Sequence, residues 1–580
     1  MEDFTWYGNQ TDVEGVALGA LAVIEPMIQK INLAGIINQH LPVDQQAEFD
    51  HGSVLSLLTA ARLYSPVALS NVAEWAEMSG ADILWGIPVE KLNDDRLGRA
   101  LDAFFTQRHS ILGSLALHVA STFGIPLDRL HYDPTHILFT GAYVDAVPRE
   151  DTADDAVLSD AALGAAHITK GRATDDAPKG TRMIHAGLAS YIDDFGVLPL
   201  FGHSIDGNQN GRTGIRQQVA LIRKILKPQK FTMISDRGTF SVAHLLRLKA
   251  ASSHAICSVP WADVKELFHE QRASLTWKAA SFLSIEQRRR RDSDSTLPQE
   301  HYELAVVRHT FRDDASGESI ACRILFVFST ADQKVVRQQR QKKMERIKEE
   351  LQQLAKSVAA GRYNKKLEGV SKRVNRAFGT STADRYFSWD LKPLTPEELQ
   401  QLAPAVRGCR LPTHRFEWTC DAAKVAADEL EDGYSAIVTT VPASTHSGDV
   451  VFTMFREQNL VEHANRQFKG PLAVRPVFLH SPQRVEALVF LLMIALMIYF
   501  LIQRTYRENT ADDAPQKERR MTAATILKSF KNYTVLIHHH PIGRAVSPTR
   551  LTIRQREFLN RLEFPSPAQT LSRRLARPPD

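Results

Sequence analysis

The sequence predicts a mixed α/β protein: a helical segment leads into an α/β core, and a β-rich and helical insertion interrupts that core. Three observations predict this. Apolar residues recur at helical spacing up to about residue 125. Strand-like runs then alternate with helical ones from Leu130 to Val259 and resume at Tyr434. The residues between have a different, strongly basic texture. At 580 residues the chain is also too long for a single hydrophobic core. It divides into an N-terminal helical domain (1–125), a first half of the core (126–260), an insertion (261–432), a second half of the core (433–545) and a tail (546–580).

In chain order, the apolar spacing predicts helices over Val16–Ile37, interrupted at Pro26, and over Val54–Leu63. A third helix runs from Leu97 through Phe105, opened by Asn93-Asp94-Asp95 as a cap, and a fourth covers Ser110–Thr122. The period changes at Leu130–Phe139, a strand with Asp133 near its middle. Residues 145–180, rich in Asp, Ala and Gly, read as a loop. Met183–Ile192 and Val197–His203 flank the turn Asp193-Asp194-Phe195-Gly196 as a hairpin. A helix over Gly214–Leu226, a strand Phe231–Asp236, a helix Ser241–Ala250 and a strand Ala255–Val259 follow.

Within the insertion, Tyr302–Phe311 and Ile320–Phe328 read as strands. Ala331–Ala359 reads as a charged helix whose Met344, Ile347, Leu351, Leu354 and Val358 form one narrow apolar stripe. That stripe suits a helix lying on a sheet, a DNA-facing arm or a short dimer seam. Tyr434–Thr440 is a buried strand, and the tail beyond Phe564, lacking periodicity, reads as disordered.

Composition narrows the class. The chain is 43% apolar and 24% charged, as in ordinary globular proteins, with a net charge of +5 from 71 basic and 66 acidic residues. Fourteen Lys and Arg against four Glu fall between Lys334 and Arg376, a density that suits a phosphate backbone. Cys257, Cys322, Cys409 and Cys420 form no CxxC pair, which argues against zinc and a disulfide framework and fits a reducing cytosol. The start, Met1-Glu2-Asp3-Phe4, lacks a signal-peptide layout. Ala487–Ile502 is an unbroken run of sixteen apolar residues, short of the roughly 20 needed for a membrane span, and reads as a core helix. His538-His539-His540 reads as a loop or strand edge.

Chemistry concentrates at three carboxylates. Glu462, Arg466 and Lys469 stand four and seven residues apart, on one face of an amphipathic helix read over Phe455–Lys469. Alone, they make a solvated ion pair. Asp133 within one apolar strand and Asp236 at the end of another are costly to bury unless paired or bound to a cation. Two Asp and one Glu form the hard oxygen set that Mg²⁺ or Mn²⁺ prefers. Two such ions about 4 Å apart would support in-line attack on a phosphodiester. Asp206, in Ile205-Asp206-Gly207-Asn208, is the rival strand-end acid, in ordinary turn chemistry.

These residues carry a resemblance. The stretch Phe455-Arg456-x-Gln458-x-x-Val461-Glu462-x-x-Asn465-Arg466-x-Phe468-Lys469-Gly470-Pro471 resembles the signature YKxQxxVExxFRxLKdP, found in a subgroup of the YREK group of DDE transposases from bacterial insertion sequences. His131-Tyr132-Asp133-Pro134-Thr135 resembles that family's DxT strand, and Ser235-Asp236-Arg237-Gly238 its second acidic motif. Pro476–Leu479, Arg484–Leu488 and, upstream, Asn93–Asp102 also match. Phe455 stands where the signature has Tyr, Asn465 where it has Phe, and Gly171–Asp175 is degenerate.

The resemblance implies an RNase H-like core in which Asp133, Asp236 and Glu462 are catalytic and bind two Mg²⁺ or Mn²⁺ ions. Gln458, Arg466 and Lys469 would lie at the DNA, and the N-terminal domain is a candidate for binding DNA ends. The implied activity is cleavage at insertion-sequence ends and strand transfer into target DNA. The implied partners are double-stranded inverted repeats and target DNA, bound as a homodimer near the bacterial nucleoid, with no membrane. Two alternatives stay open: an inactive relic that only binds DNA, and a metal-dependent nuclease that does not join.

Overall fold

A computed structural model describes residues 12–42, 48–139, 141, 143, 147–149, 160–171, 181–227, 229–280, 282, 301–363, 368–379, 381–401, 411–469, 479–540 and 543–575. The runs Arg288–Arg291, Gly470–Phe478 and most of the expected 145–180 loop lie outside the described residues. The architecture is mixed α/β, with a helical N-terminal region. The chain forms two compact units: Met1–Pro260 with Arg308–Arg323 and Val438–Asp580, and Trp261–Val307 with Ile324–Ile437.

In the first unit the N-terminal helices form at Leu21–Lys30, Leu33–His40, His51–Tyr64, Asp94–Phe105 and Arg108–Thr122; Pro26 lies inside the first of them, and the interruption expected there falls instead at Ile31 and Asn32. Asn93 caps the fourth by accepting from the Arg96 N–H, as its sequence predicts. Ahead of them lies an unexpected strand, Asp12–Val16, paired antiparallel with Val535–His540, the strand that carries the three histidines.

Five neighbouring strands of this unit's sheet run Gly196–Asp206, Arg182–Asp193, Arg129–Phe139, Thr232–Ser235, His254–Ser258, which is the order 3-2-1-4-5 when these five are numbered along the chain. The first three are antiparallel neighbours, joined by the expected hairpin; the last two run parallel to the first. The hairpin approaches closely at Gly187, where a Cβ would lie 2.6 Å from the buried Tyr132 hydroxyl and 2.4 Å from the His203 ring. The parallel ladder ends at Tyr132 and Ser235. Pro134, with no N–H to offer a neighbour, follows immediately. The sheet is therefore open where Asp133 and Asp236 emerge.

The apolar run becomes the helix Pro482–Glu508, apolar and long enough to cross a membrane by composition but buried within the protein. It packs on the strand Gly196–Asp206, on the helices Leu21–Lys30, His51–Tyr64 and Asp94–Phe105, and on the Glu462 helix. Arg484 locks its start by a two-pronged bond to Asp102 (2.9 and 2.7 Å), across Gly98, where a side chain would strike the guanidinium. Two residues on, Glu486 is buried among polar groups. It accepts from Arg108 Nε at 2.7 Å, Arg149 Nη2 at 2.8 Å, the Ala166 N–H and the Ser204 hydroxyl. Burial alone would raise this carboxyl, but Arg149 and Arg108 outweigh it and hold it at about 2.

Beyond Phe564, where disorder was expected, the chain instead forms the helix Pro567–Leu575, which follows the helix Ile553–Leu562. Pro567 sits in the first turn, where its missing N–H costs nothing, and Ala568 and Leu571 are buried. Sparse apolar residues sufficed because each finds a core partner.

In the second unit the charged helix spans Thr330–Ala359, and the five stripe residues are its buried face. They pack with Val370 and Val374 of the helix Glu368–Phe378 and with Phe387 and Phe416 of an antiparallel hairpin, Phe387–Pro393 with His414–Cys420. The stripe is thus a helix laid on a sheet.

Two outcomes are expected. Leu351→Ala should cost about 2–5 kcal/mol in a denaturant titration of this unit, the range for a truncated core leucine. Glu486→Ala, which strands two buried guanidiniums, should cost about 3–5 kcal/mol. The Glu486 contribution is complete above its ordinary value of 4.5 and fades as pH falls toward 2, so Glu486→Gln should flatten that part of the acid-unfolding curve.

Candidate active site

The register of the parallel ladder positions the first two acids. Tyr132 pairs with Ser235, so the next residue on each adjacent strand is an aspartate, Asp133 and Asp236. Adjacent strands lie about 4.8 Å apart, which makes these side chains neighbours at the open end of the sheet. Asp236 also begins a short turn by accepting the Gly238 N–H at 3.0 Å. Its side chain reaches solvent, yet desolvation by surrounding protein raises its carboxyl.

Glu462 comes from the helix Asn459–Lys469, which packs across the Asp133 strand. The helix read over Phe455–Lys469 is in fact two, broken after Arg456. The break arises at Gln458, whose side chain turns inward. Its Nε2 donates to the Tyr132 carbonyl at 2.9 Å, and its Oε1 lies 3.0 Å from His131 Nδ1, which must donate. Burial lowers His131 to about 3, so the ring is neutral. Gln458 is therefore a buried clamp between helix and strand. Beyond it, Val461, Ala464, Asn465 and Phe468 face inward while Glu462, Arg466 and Lys469 face solvent.

Asp133 senses the other two acids. Burial, then Asp236 and Glu462, push Asp133 up to about 7; a bond from Asn465 and the Lys469 charge oppose the rise. That bond, Asn465 Nδ2 to Asp133 Oδ2, is 2.7 Å long. Sequence reasoning treated Asn465 as a mere departure from a packing position. Its signal was a carboxamide on the buried side of an amphipathic helix, three residues after Glu462.

The donor set fits a hard divalent cation: three carboxylates gather where their repulsion at Asp133 is only partly offset. Even so, no group of three or more His, Cys, Asp or Glu among the described residues is arranged to hold one ion jointly, so the acids form a charged cluster and not a preformed cage. Asp206, the rival, is removed from this cluster. It is buried, accepting the Arg149 N–H at 3.1 Å and the His167 N–H at 2.9 Å, and so serves the fold. Cys257 and Cys322 are buried free thiols; burial pushes both up, Cys322 to about 12, far from reactive.

Asp133 yields a checkable pH effect. Its folded value lies above the ordinary 3.8, so its contribution to stability is complete below 3.8 and is lost as pH rises through about 7. In chelator, the wild-type melting temperature should therefore fall between pH 4 and pH 7.5 relative to Asp133→Asn. Parallel melting curves for the two proteins would refute the buried, crowded carboxyl.

Among known families, a model described as a domain of unknown function, DUF4277, matches residues 13–117. No curated protein matches the chain.

Proposed function

We propose that the first unit is an RNase H-like catalytic core and that the protein is a transposase acting on insertion-sequence ends. The observation carrying this reading is the pair Asp133 and Asp236, each directly following the last paired residues of two adjacent parallel strands, with Glu462 on a helix packed across the Asp133 strand. The strand order 3-2-1-4-5, with its second strand antiparallel, supports the same fold. So does the solvent-facing row of Arg466 and Lys469 beside Glu462, which suits phosphates.

In this reading Asp133, Asp236 and Glu462 hold Mg²⁺ or Mn²⁺. Two such ions, when bound, would activate water or a 3′-hydroxyl and stabilise the leaving oxygen. The chain supplies the rest. Gln458 and His131 fix the helix on the strand, and Arg466 and Lys469 align the backbone of a DNA end. The basic helix Thr330–Ala359 of the second unit offers further phosphate contacts. The acids then act on a DNA strand already in line, which is where most of the rate gain in such chemistry lies. The proposal includes a homodimer bound to the paired ends and to target DNA in the bacterial cytoplasm.

The test uses duplex oligonucleotides copied from the DNA flanking the gene. Wild-type protein with Mg²⁺ should nick the end and join it to target. Glu462→Gln should abolish both while still binding the duplex, and retained cleavage would sink the assignment. Cleavage without joining would favour a nuclease. Lys469→Ala should weaken end binding and reduce the slope of log affinity against log salt by about 0.9.

A further inference from the structure

Asn465 is 5% exposed and lies on the apolar face of its helix, among Val461, Ala464 and Phe468. A carboxamide in such a place carries a desolvation cost unless its groups are used. Half of it is used, in the 2.7 Å bond from Nδ2 to Asp133 Oδ2. The other half, Oδ1, is buried with no hydrogen-bond partner. This dry acceptor adjoins the carboxylate cluster and is an oxygen of the type that Mg²⁺ and Mn²⁺ take. Gln458 stands just ahead of the helix, seven residues earlier, and reaches the same strand at Tyr132. Two carboxamides thus fasten the Glu462 helix to the Asp133 strand, one of them directly on an acid.

We propose that Asn465 is a positioning residue for divalent cation binding, fixing the Asp133 carboxylate relative to Glu462 through its Nδ2–H. The proposal rests on the assignment of these acids to a cation site but can fail separately from it. An acid free to rotate must be ordered whenever a cation binds; one already held by a rigid helix is not. A partner of this kind, bound to a ligand and not to the ion, is worth about 10–100-fold in metal affinity.

Mn²⁺ binding to the full chain, followed by the electron paramagnetic resonance of free Mn²⁺, is the measurement. Asn465→Ala and Asn465→Phe, the latter filling the same apolar space, should each weaken binding about tenfold at unchanged stoichiometry. Asn465→Gln should recover part of the loss. In the end-cleavage assay the same variants should need more Mn²⁺ for half-maximal rate and approach the wild-type rate at saturation. Asp133→Asn is the control. If it loses Mn²⁺ while Asn465→Ala binds as wild type does, with only a lower melting temperature, Asn465 is merely structural and the proposal falls. If Asp133→Asn itself binds Mn²⁺ as wild type does, the cation site and this proposal fall together.

Discussion

The buried carboxylate of Glu486 is the constraint on which the first unit turns. A run as apolar as Leu488–Ile502 has no preferred depth or rotation of its own, since nearly every face is equally greasy. Glu486 supplies the missing register. With Arg108, Arg149, Ser204 and the Ala166 N–H gathered on it, the helix can be neither slid nor turned without stranding several buried polar groups. Arg484 and Asp102 repeat the device nearer the surface. The Glu462 helix packs on this fixed helix and on the Asp133 strand, so the position of the third acid is set by a charge network in which it takes no part.

The two clusters of buried acid show opposite economies. At Glu486 cations exceed the need, and the carboxyl is held near 2. At Asp133 acids crowd without enough compensation, and the carboxyl rises to about 7. The first arrangement stabilises a fold. The second leaves a carboxyl that burial and its acidic neighbours make costly to ionise.

Much of the fold was legible because hydrophobic period reports burial directly: the Leu351 stripe, the hairpin around Asp193 and the capped helix after Asn93 all follow from local pattern. What escaped was non-local. Asp12–Val16 is too short and mixed to announce a strand whose partner lies more than five hundred residues away. The helix Pro567–Leu575 is marked by prolines and arginines, and only its docking reveals Ala568 and Leu571 as core. At the site, Asp133 and Asp236 could be singled out from their strands, but their common register depends on pairing that no single segment encodes. The inward turn of Gln458 and the reach of Asn465 depend in the same way on a strand hundreds of residues upstream.

The sequence separation of Arg108 and Glu486, 378 residues, also has a temporal meaning. At about 5–20 residues per second, a ribosome needs roughly 20–75 s to travel from one to the other. For that interval Arg108, Arg149 and the N-terminal helices lack the helix that they pack on in the finished fold. The second unit, whose segments all precede residue 438, is released in time to fold first. The first unit's core is therefore complete in sequence only once the apolar helix has been made.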